Sequence, residues 1–559
     1  MKRNFSLLGN KQFDLLVVGG GIYGAWTAYD AALRGLSVAI VEQGDWANAT
    51  SSSSSKLIHG GLRYLESLDF KLVKKALTER QMLLSVAPHR VWPLRFGVPV
   101  YADSRIGTFQ LRVGLSMYDF LADDSGHNMA HHHFGQKSFA AHFPFLAGDG
   151  LKGGFTYGDA QTDDARLVLE LISGAMGAGA VCVNYCKLIG LLETNGHDKY
   201  DVAKDETRHA HFPHPPPEGE GASEPLRWLQ VSGRVCGATV QDQISHASAK
   251  ISAKQIVNAT GQWTTMSEQG RSWCRLDKGT HLVMPALATD EALLLTAKSD
   301  GRVFFIIPWY GMTLVGTTDA DYSGDLDHVV VEPEEIAYLL AEANHYLKTA
   351  WTEKDVVGSY VGLRVMKRSG DAQPSAVSRD WELKTASNGA HYSIGGKLTS
   401  AREDAAHIVD TVCAQLGVDT PCATRHRTFP WAPEADYARW FIAASTQATQ
   451  LGIDQDSAKW LTRRHGKRVG EVFRIIENDP RMAERIMPML PFIFADLLFC
   501  ARDEMAIHLD DLLRRRMPLL ILAKLDESVL RRLAEMVAAA MGWDEAAVNQ
   551  EIKACSNWL

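Results

Sequence analysis

The sequence predicts an α/β fold built on a parallel sheet, with a β-rich part attached to it and an all-helical domain at the end. Three observations lead to this fold class. From residue 13 to 41, an apolar strand, a glycine-rich turn, a helix and a second apolar strand follow one another, which is the start of a parallel strand–helix–strand unit. Strand-like alternation dominates residues 228–257 and 303–318. After about residue 430 the chain is rich in Arg, Leu, Ala and Glu with few glycines, which favours helices.

Length and composition limit the class of protein. At 559 residues the chain is too long for one hydrophobic core, and 46% hydrophobic with 22% charged residues is typical of a folded globular protein. A formal net charge of -8 argues against nucleic acid as a partner. The 8 cysteines form no C-x-x-C pair, so we expect reduced thiols in the cytoplasm and no metal site.

No segment is apolar enough to cross a membrane. The segment before the first strand is short and polar, so we expect no signal peptide. No stretch of the sequence reaches the roughly 18 apolar residues that a spanning helix needs. Two polar segments are expected at the surface. Residues 195–225, rich in charge, His and Pro, are predicted to be a surface insertion, and the three consecutive histidines at 131–133 a solvated loop.

The turn after the first strand carries a dinucleotide-binding pattern. Gly19, Gly21 and Gly24 fit G-x-G-x-x-G, in which the glycines allow a tight turn, a close approach of backbone to pyrophosphate, and close helix–strand packing. The following helix directs its free N–H groups at the phosphates. Glu42 ends the second strand, where a carboxylate can accept hydrogen bonds from ribose hydroxyls. This loop alone is compatible with FAD or NAD.

Two later segments favour FAD. Residues 256–261 form a strand that ends in the turn Ala259-Thr260-Gly261, which resembles a segment of the FAD-binding domains in the glutathione-reductase-like superfamily. Gly395 and Gly396 precede a helix that begins around Ala401. They offer a second set of backbone N–H donors, which suits the polar edge of an isoalloxazine ring.

The segment from residue 43 to 65 points to one family. Its serine run alone would be typical of a linker, but the stretch KLIHGGLRY that follows is not. Here the chain resembles the FAD-dependent glycerol-3-phosphate dehydrogenases of the respiratory, quinone-linked type and their oxidase relatives. Further matching motifs follow in family order at residues 87–89, 92–94, 163–167, 258–261, 278–283, 316–319, 362–364, 378–380, 395–399, 503–506 and 510–515.

The resemblance implies a domain organisation and a cofactor site. We expect a glutathione-reductase-like Rossmann FAD-binding domain with a β-rich substrate-binding subdomain in residues 1–429, and a C-terminal all-α domain in 430–559. The FAD-binding part is expected at about 1–100, 150–270 and 355–429, and the substrate cap at about 101–149 and 271–354. The expected FAD-binding residues are Gly19, Gly21, Gly24, Glu42, Thr50, Ser51, Ser55, Lys56, His59, Ala259, Thr260, Gly261, Gly395, Gly396, Leu398 and Thr399.

The same resemblance implies the reaction. Oxidation of sn-glycerol 3-phosphate to dihydroxyacetone phosphate needs a hydride acceptor, flavin N5, and a base for the hydroxyl proton. His281 is expected beside the substrate hydroxyl, and Arg364 beside the carbinol or the phosphate. The remaining anion-binding set consists of Arg63, Tyr64, Lys397 and Arg379. Several cations in one site favour a phosphate dianion. After residues 362–364 the family often has proline, where this chain has Val365. Another small hydroxy acid or an amine therefore stays open as the substrate. A non-catalytic flavoprotein that acts as a redox sensor stays open as an alternative function.

The route of the electrons is the least determined point. Respiratory family members reduce quinone at the membrane, whereas oxidase relatives reduce oxygen. Basic clusters occur at residues 463–464, 467–468, 514–516 and 531–532. They can bind anionic lipid headgroups or form ion pairs between helices. By resemblance we expect a quinone acceptor and a peripheral position on the inner face of the cytoplasmic membrane, with a homodimer left open.

Overall fold

The computed structural model of the chain describes residues 1–66, 68–122, 129–194, 233–368, 380–434 and 436–556. The predicted surface insertion at 195–225 and the predicted substrate ligand Arg379 lie outside these residues. The described part contains two sheets, helices around them, and a helical C-terminal region. The predicted fold class is confirmed.

The first sheet has a parallel core. Its order is β17-β18-β10-β1-β2-β7, and the pair β8–β9 extends it from β10. Its strands are β1 Gln12–Val18, β2 Val38–Val41, β7 Val181–Val183, β8 Cys186–Thr194, β9 Arg234–Asp242, β10 Ser248–Asn258, β17 Glu382–Thr385 and β18 His391–Ile394. β1 is an almost continuous apolar run with both faces buried, as expected for a central parallel strand.

Parallel pairing brings three predicted binding segments to one edge of this sheet. Val18, the last residue of β1, lies between Val41 of β2 and Asn258 of β10. The glycine turn, Glu42 and the Ala259-Thr260-Gly261 turn directly follow these strand ends. Ligands bind at the carboxyl ends of parallel strands, so the fold itself assembles this site.

The second sheet is mostly antiparallel and lies over that edge. Its order is β15-β11-β14-β13-β12-β4-β6-β3, with β16 paired to β11 and β5 paired to β6. Its strands are β3 Leu57–Ile58, β4 Val91–Tyr101, β5 His132–Gly135, β6 Leu151–Thr162, β11 Cys274–Met284, β12 Ala292–Thr296, β13 Val303–Trp309, β14 Met312–Gly316, β15 Ala320–Tyr322 and β16 Gly358–Lys367.

Two details of this sheet differ from the sequence prediction. The strands β4, β6 and β16 belong to it, although the expected boundaries near 100, 150 and 355 placed most of their residues in the FAD-binding part. They belong here because β4 and β6 pair along their whole length and β16 pairs with β11. The solvated loop predicted at 131–133 is wrong for His132 and His133, which begin the exposed edge strand β5 because they pair with β6.

Helices cover the first sheet and form the C-terminal region. α1 packs against α5 and α8, so the first sheet has the helical layer expected of an α/β fold. The helices before residue 430 are α1 Ile22–Leu33, α2 Phe70–Val86, α3 Thr108–Ala122, α4 Gln136–His142, α5 Asp164–Gly177, α6 Glu268–Trp273, α7 Pro333–Asn344 and α8 Ala401–Leu416. After it come α9 Tyr437–Gln450, α10 Gln455–His465, α11 Val469–Asn478, α12 Phe494–Asp503, the π-helical turn Asp511–Arg516, α13 Leu519–Leu522, α14 Glu527–Met541 and α15 Glu545–Ser556.

Three arginines of the basic clusters in the helical region form interior ion pairs. Arg464 pairs with Asp496, and both are buried. Arg515 and Arg516 pair with the buried Asp45. The idea that these arginines bind lipid headgroups is therefore wrong, because their guanidinium groups face buried carboxylates instead of solvent.

The helices also bear on how the chain can meet a membrane. Among the described residues, none of the helices combines the length and the apolar character needed to span a bilayer.

Candidate functional site

A cavity of about 970 Å³ lies between the two sheets. One wall is the edge of the first sheet, with the glycine turn and the serine-rich segment. The other wall is the second sheet, with β11 and β16. The predicted cofactor side and the predicted substrate side therefore face the same space.

The glycine turn has the geometry of a pyrophosphate cradle. Gly19 has φ +109°, which favours glycine, and a Cβ on Gly24 would lie 1.8 Å from the Gly19 carbonyl oxygen. Gly21 precedes α1 in extended conformation and lines the cavity. The residues present thus fit a dinucleotide at this position, as the sequence predicted.

Glu42 connects the glycine turn to the segment after β2. Its carboxylate accepts hydrogen bonds from the Gly20 N–H at 2.7 Å and the Gly44 N–H at 2.8 Å. Burial raises the pKa of this carboxyl. Glu42 lines the cavity, and each carboxylate oxygen keeps a second lone pair for a ribose hydroxyl.

Most of the other predicted cofactor residues also line the cavity: Thr50, Ser51, Ser55, His59, Ala259, Thr260, Gly261, Gly395, Gly396, Leu398 and Thr399. The serine-rich segment is therefore a wall of the site and not a linker. Its short hydroxyl side chains allow the backbone to pass close to a ligand.

Lys56 is the exception among them. Its ammonium group is buried, donates to Asp164 at 2.7 Å and to the Ser52 carbonyl at 2.6 Å, and lies over the rings of Trp309 and Tyr360. Lys56 supports the serine-rich segment from beneath and is not among the residues that line the cavity. These contacts suit a supporting role, and the assignment of Lys56 as a cofactor ligand stays a prediction.

The loop before α8 closes the far end of the cofactor wall. Gly395 and Gly396 have φ +72° and +94°, and a Cβ on Gly396 would lie 1.7 Å from the Tyr23 hydroxyl oxygen. That hydroxyl accepts from the Lys397 N–H at 2.9 Å and donates to Asp404 at 2.8 Å. Tyr23 of α1, itself bound to Asp404 of α8, thus fixes the position of this loop.

The substrate wall is formed by two antiparallel strands with alternating motifs. Asp277, Gly279 and His281 of β11 pair with Arg364, Gly362 and Tyr360 of β16, respectively. Because side chains alternate along a strand, the six residues share one face. The glycine pair leaves a bare strip between the two side-chain pairs. Asp277 was missed by the sequence analysis, although the pattern D-x-G-x-H opposite Y-x-G-x-R was present.

His281 is held in one orientation. Its ring stacks on the Tyr360 ring, with 4.8 Å between centroids and 7° between planes. A Cβ on Gly316 would lie 2.4 Å from its Cδ2, and its Nε2 lies 2.8 Å from Ser55 Oγ. Burial, with the charges of Lys56 and Arg364, lowers the pKa of His281 to about 3. The imidazole is therefore neutral near pH 7 and able to accept a proton.

Arg364 is anchored by two carboxylates. Its Nε lies 2.6 Å from Asp277 Oδ2, and its Nη2 lies 3.3 Å from Asp319 Oδ1. Nη2 also donates to the Thr318 carbonyl at 2.8 Å. These contacts place the guanidinium at the cavity wall near His281.

The predicted anion-binding residues meet at another part of the wall. The ammonium nitrogen of Lys397 lies 3.8 Å from the Tyr64 ring centroid, and the guanidinium carbon of Arg63 lies 5.0 Å from it. All three residues line the cavity, as do Arg105 and Arg302, which the sequence analysis missed because they lie in segments without a motif.

Family comparisons agree with this geometry. Residues 14–402 match the family model of FAD dependent oxidoreductases. Residues 422–548 match that of the C-terminal domain of alpha-glycerophosphate oxidase. Fold and site therefore define an FAD-dependent oxidoreductase with an additional C-terminal helical domain.

Individual relatives narrow the family. A glycerol-3-phosphate dehydrogenase of Synechocystis sp. is 33% identical, over 99% of this chain and 97% of the relative. The aerobic glycerol-3-phosphate dehydrogenase of Bacillus subtilis is 32% identical, over 97% of this chain and 93% of the relative. The structure of the Bacillus halodurans glycerol-3-phosphate dehydrogenase complexed with FAD has a TM-score of 0.75 and 27% identity, and covers 99% of this chain and 95% of that one. The chain belongs to the family of FAD-dependent glycerol-3-phosphate dehydrogenases, and the predicted resemblance is confirmed.

Proposed function

We propose that this protein oxidises sn-glycerol 3-phosphate to dihydroxyacetone phosphate and passes the electrons to a membrane quinone. The observation that carries the proposal is one cavity that combines a neutral histidine with a fixed arginine, and a separate cationic cluster of Arg63 and Lys397 around Tyr64. The first pair suits a secondary alcohol, and the second suits a phosphate.

The residues divide the chemistry between them. FAD, when bound, supplies the acceptor for the hydride that leaves the carbinol carbon. His281 accepts the hydroxyl proton, and we assign Nε2 as the acceptor atom because its partner Ser55 lines the cavity. Arg364 stabilises the negative charge that develops on the carbinol oxygen.

The phosphate assignment is tested by comparing a charged and a neutral donor. R63Q and K397M should each raise KM for glycerol 3-phosphate about 10- to 100-fold, the usual loss for one charge-assisted contact. They should leave the slow oxidation of glycerol and the bound FAD unchanged. K254M, on an exposed lysine that pairs with Asp14 outside the cavity, is the matched control. An unchanged preference for the phosphate ester in both variants would favour a different hydroxy acid or an amine as substrate.

The proposed contact with lipid rests on α3. Phe109 and Phe120 are each 80% exposed, and Val113 and Met117, on the same helix face, are also exposed. Arg112 on α3 and Lys71 on the adjacent α2 are exposed as well. An apolar helix face rimmed by cations fits a bilayer surface with anionic headgroups.

The position of α3 links lipid contact to the site. α3 packs against the turn Leu62–Leu65, which carries Arg63 and Tyr64. A protein lying on this face would have its cavity close to the bilayer, where quinone is dissolved. This proximity supports quinone over oxygen as the acceptor.

Flotation with vesicles tests the lipid contact. The variant F109S/F120S should lose binding to vesicles that contain phosphatidylglycerol, and its turnover with a vesicle-borne quinone should fall. Turnover with a water-soluble dye should be unchanged. I442S, on an apolar residue exposed on α9, is the control. Equal flotation of all variants, or peroxide formed in proportion to substrate, would contradict the membrane quinone assignment. Sedimentation of the same samples measures whether the protein forms a homodimer.

A further inference from the structure

Asp277 is a buried carboxylate to which the proposed hydride and proton transfers assign no role. It lies on β11, is 0% exposed, and faces Arg364 across the strand pair. Its Oδ2 lies 2.6 Å from Arg364 Nε. A carboxylate is costly to bury unless a cation compensates it, so its position depends on this arginine, and the arginine's position depends on it.

The contacts of Arg364 engage two of its three nitrogens. Nε faces Asp277, and Nη2 faces the Thr318 carbonyl and Asp319. No acceptor within the described part of the chain takes a hydrogen bond from Nη1. Because Arg364 lines the cavity, Nη1 is the nitrogen available to a ligand.

The backbone of Gly279 lies beneath the Arg364 guanidinium and restricts its movement. A Cβ on Gly279 would lie 2.9 Å from Arg364 Nη2 and 3.0 Å from its Cζ, so the planar group lies directly against the bare strand. The ion pair with Asp277 restrains the guanidinium at Nε, and the hydrogen bond to the Thr318 carbonyl restrains it at Nη2. A planar guanidinium held at two nitrogens presents the third in one direction.

We propose that Asp277 is a positioning residue that aims Arg364 Nη1 at the carbinol oxygen of the substrate. The inference rests on the proposed function. Asp277 is not among the residues that line the cavity, and we assign its contribution to its ion pair with Arg364. A displacement of about 1 Å of such a group can lower a rate about 100-fold.

The first test separates rate from binding. In D277N the side chain keeps its size but loses its charge. We expect the rate of anaerobic flavin reduction by glycerol 3-phosphate to fall about 10- to 100-fold. The Kd for substrate and for FAD should change less than about threefold, because Asp277 touches neither. D30N is the matched control, since Asp30 is also a fully buried partner of an arginine, Arg34, and neither lines the cavity. D30N can lower stability but should not slow reduction.

The decisive test is a double-mutant cycle with R364K. If Asp277 acts through Arg364, the variant D277N/R364K should be reduced no more slowly than R364K alone. If D277N slows R364K by the same factor as it slows the wild type, the inference is overturned. D277S, a second uncharged variant, replaces D277N if that protein does not fold. Loss of FAD from both variants would also overturn the inference, because the role assigned to Asp277 is on the substrate side.

Measuring flavin reduction in the wild type and in D277N distinguishes failure of the positioning role from failure of the proposed function. If glycerol 3-phosphate reduces the wild type but D277N reacts at the wild-type rate, only the positioning role fails. If the wild type itself is not reduced, the proposed function fails first.

Discussion

At the scale of single residues, His281 combines features that suit proton transfer. Stacking on Tyr360 and contact with Ser55 leave the ring one orientation, and burial keeps it neutral. A general base must be both placed and unprotonated before the substrate arrives. We therefore expect substitution of His281 to change both the rate of flavin reduction and the pH dependence of the free energy of unfolding.

The kinetic effect is tested with H281Q. Glutamine can still contact Ser55 but cannot accept a proton, so flavin reduction by glycerol 3-phosphate should slow about 10²- to 10⁴-fold. FAD content should stay at the wild-type level. Rapid-mixing measurements under anaerobic conditions give both values. A reduction rate within threefold of the wild type would exclude His281 as the base.

The stability effect appears in acid. Folded His281 has a pKa of about 3, whereas an ordinary histidine titrates at 6.5. Between these pH values the unfolded chain binds a proton that the folded chain does not, so the free energy of unfolding falls as the pH drops, by about 1.4 kcal/mol per pH unit for one group. H281Q lacks this titration, so the unfolding free energy of the wild type minus that of H281Q should decrease from about pH 7 to pH 5. Urea unfolding of the apoprotein measures it. A difference that does not change with pH would contradict the lowered pKa.

Some residues of the site are predictable from sequence and others are not. Gly19, Gly24 and Glu42 follow from local pattern, because a turn, a helix start and a strand end are local. The contact of the Lys56 ammonium group with Asp164 could not be predicted, because membership in a motif does not determine which way a side chain points. Asp277 was missed because its partner is fixed by the register of two strands far apart in the chain.

At the scale of elements, Gly362 of β16 controls how closely the serine-rich segment packs on the second sheet. A Cβ on Gly362 would lie 2.8 Å from Ser53 Cβ and 3.2 Å from the Ser53 carbonyl oxygen. Ser53 lines the cavity. The distance between β16 and the serine-rich segment therefore depends on the absence of a side chain at Gly362.

G362A tests this packing. The added methyl group must push the serine-rich segment away, so FAD affinity should fall about tenfold, equivalent to about 1.4 kcal/mol. FAD titration of the apoprotein by flavin fluorescence measures it. G190A, in strand β8, is the control because a Cβ there meets nothing within 4 Å. Equal FAD affinity in G362A and wild type would show that the segment adjusts without cost.

At the scale of the whole molecule, the helical domain is attached to the cofactor wall by buried charge. Asp45 pairs with Arg515 at 2.6 Å and with Arg516. Its neighbour Trp46 packs against Gly20 of the glycine turn and donates to Met505 Sδ at 3.4 Å. The helical domain thus holds the segment between Glu42 and the serine run. Sequence alone showed the arginines as basic clusters, since nothing local indicates a partner more than 460 residues away.

D45N tests that connection. It removes the buried carboxylate that Arg515 and Arg516 share, and Arg515 keeps a pair with Asp511, so the free energy of unfolding should fall by about 3–5 kcal/mol. FAD affinity should fall too, although Asp45 does not line the cavity. Urea unfolding and FAD titration measure the two effects. E434Q, which removes an exposed partner of Lys467, should change neither. Unchanged FAD affinity in D45N would mean that the helical domain does not stabilise the cofactor wall.

The bound flavin itself reports which substrate the protein oxidises. The most direct measurement is anaerobic titration of the FAD-loaded protein with sn-glycerol 3-phosphate while the visible flavin absorbance is recorded. We expect the absorbance to bleach in proportion to the substrate added, and glycerol at the same concentration to have little effect. A flavin band unchanged by glycerol 3-phosphate, or bleached equally by glycerol, would contradict it.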